Sequence, residues 1–267
     1  MSPEMNDCEK RSGLPKSGEA FQGEDSCPDC RIFSLRQTAG CDPGSACVRT
    51  GYARHIDRFF RKNPFLALHF WQDEYFEVRA IVTRYLPPGI LRRMMRDPDE
   101  TVRMNVALFL PPGDLVRMMG DPDREVRIRV AGRLPYALLP RMARDPDYGV
   151  RLQVARRISP SGLFCLLDDE DSQVRQVVAR RILAPHHRIF QRDPDPLVRL
   201  AMLERGDEES WLEAVSDPDL RVRFFLVEHA CGEALWQLTQ DPDPYLREMA
   251  RKRWEQECSA DARRKAS

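Results

Sequence analysis

Apolar residues through most of this chain follow one rhythm. Val102, Val106 and Leu110 stand at i, i+4 and i+8, with Ala107 beside them. That is the spacing of a single apolar stripe on an α-helix. Pro111-Pro112-Gly113 then breaks the rhythm, because proline lacks a backbone donor and clashes with the preceding turn. Leu115 and Met118 resume it at i, i+3, and Asp121-Pro122 ends it. The pattern predicts a helix of about three turns, a proline break and a second helical segment short enough to be 3₁₀. Asp97-Pro98-Asp99 opens the unit. Asp97 reads as the helix cap and Pro98 as the first helical residue, with Asp99 adding negative charge to the first turn.

The same unit recurs along the chain. Asp stands at 73, 97, 121, 145, 169, 193, 217 and 241, each step 24 residues. Arg follows six residues later in every copy, preceded by Val in seven and by Leu246 in the eighth. Such register marks a repeat architecture, in which one unit cannot bury its stripe alone and stacked neighbours bury it together. Residues 73–254 therefore read as an eight-repeat array. Residues 51–72 are a transition or cap in which Phe65–Trp71 resembles a second segment without its partner. Residues 255–267 are a polar tail expected to fray, and residues 1–50 are a separate N-terminal segment. An ordinary leucine-rich repeat needs an L-x-L strand and an asparagine ladder, and neither is present. Two units depart from the pattern: His186-His187 stands where others carry Leu, and Gly206 takes a core position with Trp211 following. Altered curvature is expected around 185–211.

Charge adds a second periodic signal. Lys+Arg and Asp+Glu are both 42, so the global basic excess common among nucleic-acid binders is lacking. A second Asp, at 99, 123, 147, 171, 195, 219 and 243, precedes the repeating Arg by four residues. Acid four residues ahead of base pairs favourably on a helix. The Arg ladder thus reads as a solvated, internally neutralised flank. Arg92, Arg93, Arg96, Arg117, Arg129, Arg133, Arg141, Arg144, Arg156 and Arg157 lie off that ladder and offer a locally basic surface, the basis for an alternative nucleic-acid reading. The polar N-terminus lacks an apolar signal region, and no run is long enough to span a bilayer. The expectation is a cytoplasmic protein with no membrane association, whose cysteines do not form a disulfide framework.

Four cysteines, Cys27, Cys30, Cys41 and Cys47, form a C-x2-C-x10-C-x5-C cluster. Pro28, Gly40, Pro43 and Gly44 supply bends, and the segment holds too few apolar residues to build a core. A metal centre would organise it. Four thiolates suit a structural zinc ion or a [4Fe–4S] cluster, and the spacing alone leaves both open. Cys165 and Cys231, inside the array, read as small buried residues. The five histidines form no catalytic constellation and no phosphate-binding loop is present, so the chain does not read as an enzyme.

The unit D-P-D-x-x-V-R-x-x-V-A-x-R-L-P, with four cysteines ahead of it, resembles the bacterial leucine-rich repeat variant proteins. The resemblance implies α-helices alternating with 3₁₀ helices in an all-α, right-handed solenoid without β-sheet. It also implies that Cys27, Cys30, Cys41 and Cys47 hold a [4Fe–4S] cluster. It names no reaction and no partner. The functional expectation is a repeat scaffold that binds a protein, with the cluster in a structural or redox-sensing role; a single-cluster electron carrier is a further alternative.

Overall fold

The computed structural model describes residue 30, residues 32–183 and residues 186–265. Among them there is no strand, only an isolated antiparallel bridge between Asp42 and Ala46. The chain divides into two compact units, residues 1–135 and 136–267.

Among the described residues the first unit opens with a 3₁₀ turn at Phe33–Arg36 and helix α1 (Ala53–Lys62), followed by a 3₁₀ helix at Pro64–His69. The segment at 65–71 thus does have a helical partner, α1. The reason is an aromatic cluster: Phe59, Phe60 and Phe70 are fully buried and meet edge to face, with ring centroids 5.1 Å apart for Phe59–Phe60 and 5.4 Å for Phe60–Phe70. Edge-to-face contact suits the ring quadrupoles. This cluster packs against the first repeat, helix α2 (Phe76–Val82). Helices α3 (Pro88–Met94) and α4 (Glu100–Phe109), a 3₁₀ helix at Pro112–Met118 and α5 (Arg124–Arg133) complete the unit.

The second unit alternates 3₁₀ helices at Tyr136–Met142, Pro160–Leu166 and His186–Arg192 with helices α6 (Tyr148–Arg157), α7 (Ser172–Arg181) and α8 (Pro196–Leu203). Helices α9 (Glu208–Ala214), α10 (Leu220–His229), α11 (Gly232–Leu238) and α12 (Pro244–Lys265) follow. Helix α12 continues past Trp254, where the sequence predicts fraying. No helix among the described residues is long and apolar enough to cross a membrane.

The predicted stripe is the core. Val102, Val106, Ala107, Leu110 and Leu115 are fully buried in the first unit, as are Val150, Val154, Ala155 and Leu163 in the second. The cap, however, is displaced by two residues from the expected position. Asp99, not Asp97, is the N-cap of α4 and accepts from the N–H groups of Thr101 and Val102. Asp123, Asp147, Asp171, Asp195 and Asp219 cap their helices in the same way. Pro98 therefore lies outside the helix, in the turn.

The displaced Asp97 serves its neighbour. Arg79 donates to Asp97 from Nε at 2.8 Å and from Nη2 at 2.9 Å, 18 residues ahead and in the next repeat. Arg103–Asp121, Arg151–Asp169, Arg175–Asp193, Arg199–Asp217 and Arg223–Asp241 repeat the pairing. The third nitrogen, Nη1, turns back to the carbonyls of its own opening turn, as Arg103 does to Asp97 and Pro98 at 2.9 and 3.1 Å. Each guanidinium thus joins two consecutive repeats. This corrects two expectations: the partner is not the Asp four residues upstream, which is occupied with backbone N–H groups, and the ladder is not solvated. The Arg151 and Asp169 side chains are only 7% and 4% exposed. The bidentate bond to Asp169 holds the Arg151 guanidinium above its ordinary pKa.

A second arginine ladder was not anticipated. Arg133 donates to the carbonyls of Ala107 and Leu110 at 2.7 and 2.9 Å, the free C-terminal end of α4. Arg181 does the same for Ala155 and Ile158, and Arg205 for Arg180 and Ile182. These cations close helix ends that otherwise leave acceptors unpaired. Arg133 therefore leaves the basic surface to which its position off the first ladder assigned it. Arg92 leaves it too, paired with Asp114 at 2.9 Å.

Candidate metal centre

The cysteine segment sits against the C-terminal end of α1. Ala39 adopts a left-handed backbone at φ 55°, which turns the chain back. Gly40 and Cys41 then both donate their N–H groups to the Leu35 carbonyl at 2.9 and 3.3 Å. A Cβ at Gly40 would lie 3.0 Å from Asn63 Oδ1, a tight contact that glycine avoids. Asn63 is 4% exposed and donates from Nδ2 to the carbonyls of Gly40 at 2.7 Å and Phe59 at 2.9 Å. Lys62 Nζ reaches the Ala39 carbonyl at 3.2 Å. One end of a helix therefore anchors the loop that leads into Cys41.

Between Cys41 and Cys47 the chain makes a tight turn. Asp42 and Ala46 exchange backbone bonds of 2.9 and 2.7 Å. The Asp42 carboxylate accepts from the Ser45 hydroxyl and from the Gly44 N–H. These bonds, helped by the charges of Lys62 and Arg36, hold its carboxyl below the ordinary pKa. Ala46 and Val48 are buried at 1% and 3%, which holds the C-terminal end of the turn.

Cys30, Cys41 and Cys47 are all half-buried. Cys27, like Cys8, lies outside the described residues. Among the described residues no three His, Cys, Asp or Glu side chains gather to hold a metal ion. The donor chemistry present nevertheless fits an iron–sulfur centre. Three sulfur side chains lie in one short segment, and the Arg49 N–H points at Cys47 Sγ from 3.3 Å. Hydrogen bonds to ligand sulfur are among the levers that set cluster potentials. Arg36 and Lys62 act on Asp42, the neighbour of Cys41, and positive charge there would favour an anionic thiolate ligand.

The other cysteines differ from expectation. Cys165 and Cys231 are exposed, not buried. Cys165 Sγ bonds to the Gly162 carbonyl at 3.1 Å, and desolvation raises its thiol pKa, so it is poorly ionised and a weak nucleophile.

Comparison with known proteins bears on both parts of the chain. Residues 20–69 match the family described as LRV protein FeS4 cluster, and residues 76–99 match the leucine rich repeat variant. A solved structure described as a leucine-rich repeat variant with a novel repetitive protein structural motif is 46% identical, with a TM-score of 0.79. That match covers 84% of this chain and 96% of the other. A Rhodobacter capsulatus relative, the uncharacterized 27.7 kDa protein in nifB 3'region, is 40% identical over 90 residues. That match takes in 34% of this chain and 35% of the relative, about a third of each. Of the two centres that the cysteine spacing allows, the first match selects iron and sulfide over zinc.

Proposed function

Since the chain belongs to the leucine-rich repeat variant family and is an iron–sulfur repeat protein, we propose that it is a protein-binding scaffold whose [4Fe–4S] cluster, held by Cys27, Cys30, Cys41 and Cys47, has a structural or redox-sensing role. When bound, the cluster supplies one-electron exchange. The chain's own residues anchor the ligand loop on Asn63 and Lys62 and direct the Arg49 N–H at one ligand sulfur.

The observation that carries the scaffold reading is the exposed side of the second segments. Phe65 and Leu68 are 65% and 51% exposed in the first unit, and Tyr136, Phe164 and Ile189 are 69%, 46% and 59% exposed in the second. In the second unit Tyr136 shares its short helix with Arg141, and Ile189 shares its own with Arg188 and Arg192. Arg93, Arg117 and Arg141 are exposed and have no ion-pair partner among the described residues. Apolar anchors beside arginines are the composition of protein interfaces. The nucleic-acid reading is weaker because both periodic arginine ladders are committed to carboxylates and carbonyls, which leaves fewer cations for phosphates.

A photo-reactive amino acid placed at Phe65, Phe164 or Ile189 tests the reading in native cells. One specific protein adduct is expected, and it should be lost when Phe164 and Ile189 are both changed to Ser. Adducts equally frequent from the exposed helix position Gln173, or adducts to nucleic acid alone, would refute it. Comparing anaerobic with air-exposed protein tests the redox-sensing role: the adduct should change with the state of the cluster.

A further inference from the structure

The second segments carry a buried leucine at a fixed place. Leu115, Leu139, Leu163 and Leu235 are fully buried there. In the segment His186–Arg192 that place belongs to His187, 5% exposed. Neither ring nitrogen of His187 has a hydrogen-bond partner. A buried polar group without a partner costs free energy even when neutral, and far more when charged.

The surroundings offer no counter-ion. Helices α7, α8 and α9 pack against this segment. From α7, Arg180 is paired with Glu204, and Arg181 is bonded to the Ala155 and Ile158 carbonyls. On α8, Arg199 is paired with Asp217. On α9, Glu209 is paired with Arg188, the neighbour of His187. The turn between α8 and α9 supplies Arg205 and Asp207, which with Arg188 are the charges that act on the ring. Asp207 is the one acid among those three, and it already accepts from Arg188 at 2.7 and 2.9 Å and from Ser210 through both N–H and hydroxyl. The two arginines repel an imidazolium.

We propose that His187 makes the segment spanning residues 186–203 a pH-sensitive weak point of the second unit, which opens on proton uptake while neighbouring repeats stay closed. The inference is independent of the scaffold reading, since it concerns the stack alone. The direction follows from linkage. Burial, with Arg205 and Arg188, holds the folded imidazole below its ordinary value of 6.5, and opening returns it to that value. The open form therefore binds more protons below pH 6.5, so closure is fully favoured above that value and weakens as pH falls. Each pH unit shifts the balance towards opening by up to about tenfold, until the folded site itself titrates.

Native-state hydrogen exchange on the full chain, prepared anaerobically, tests this after correction for intrinsic exchange rates. Between pH 7.5 and 5.5, protection of peptides within 186–203 should fall about tenfold relative to peptides within 150–166, where Leu163 occupies the same place. His187→Leu should abolish the difference. Equal pH dependence of the two regions, or persistence of the effect in His187→Leu, would overturn the proposal. An NMR titration of the wild-type imidazole gives a second readout that needs no variant. A ring that titrates at the ordinary value with protection unchanged would equally overturn it.

Discussion

Removing Arg151 tests whether the arginine ladder holds the stack together. Its Nε and Nη2 bond to Asp169 at 2.8 and 3.0 Å, and Nη1 bonds to the Asp145 and Pro146 carbonyls at 2.9 and 3.1 Å. In Arg151→Ala, Asp169 would remain, 4% exposed, with the Asp171 N–H at 3.0 Å still donating to it. Stripping one partner from a buried ion pair costs about 3–5 kcal/mol. An open cleft of about 430 Å³ borders both residues, so water can reach the abandoned carboxylate. That places the expected cost near the lower end, about 3 kcal/mol, or roughly 6–12 °C in melting temperature for a chain of this size. Arg156, exposed on the same helix, is the control, and Arg156→Ala should stay within about 0.5 kcal/mol of wild type. Arg151→Lys keeps the charge but loses the fork, so it should fall between the two. The double replacement Arg151→Met with Asp169→Leu removes both charges and should recover most of the loss. Urea denaturation at neutral pH, followed by circular dichroism, measures all four. If Arg151→Ala melts like Arg156→Ala, the pair is not what joins these repeats.

Val126 is fully buried, so Val126→Asp should cost about 3–5 kcal/mol in the same urea series, whereas Arg129→Ala, on the exposed side of α5, should cost less than about 0.5 kcal/mol. Equal effects would reject the stripe assignment. Arg181→Ala strips the C-terminal carbonyls of α6 of their donor and should cost about 1–2 kcal/mol; no change would mean that water replaces the guanidinium without loss. Protein purified without oxygen should be brown and carry about four iron and four sulfide per chain. Serine at Cys27, Cys30, Cys41 or Cys47 should lower that content while serine at Cys165, Cys231 or Cys258 should not, and helical circular dichroism should survive cluster loss. One zinc per colourless chain would refute the iron assignment.

What the sequence reveals and what it hides divide along physical lines. The apolar stripe was legible because burial follows helical periodicity: Val102, Val106 and Leu110 are buried as their spacing predicts. A thiolate-held centre was legible because its chemistry is carried by residue type, and the family match over residues 20–69 agrees with it. Its geometry was not, since the turn through Ala39 and Gly40 and the anchor at Asn63 depend on a helix end some 23 residues away. The exposure of Cys165 was missed because it takes the place of exposed Arg117 and Arg141 in its repeat, so its neighbours and not its chemistry decide its surroundings.

The arginine ladder shows how spacing misleads even when it is read correctly. Asp99 and Arg103 stand four apart, the favourable order for a helix pair. Asp99, however, is the residue that leads into the helix, and the N–H groups of Thr101 and Val102 claim its carboxylate first. Helical side chains lean towards the N-terminus, so the guanidinium of Arg103 arrives over the turn at Asp97 and Pro98 rather than beside Asp99. One nitrogen is satisfied there. The two that remain face outward from the repeat, and the next copy presents Asp121 to them, at 2.9 and 3.0 Å. A period of 24 puts an Asp 18 residues after each ladder Arg from Arg79 to Arg223, so a separation of 18 follows from the repeat itself once the cap is known. Both distances were present in the sequence; choosing between them required knowing which acid the helix end had already taken.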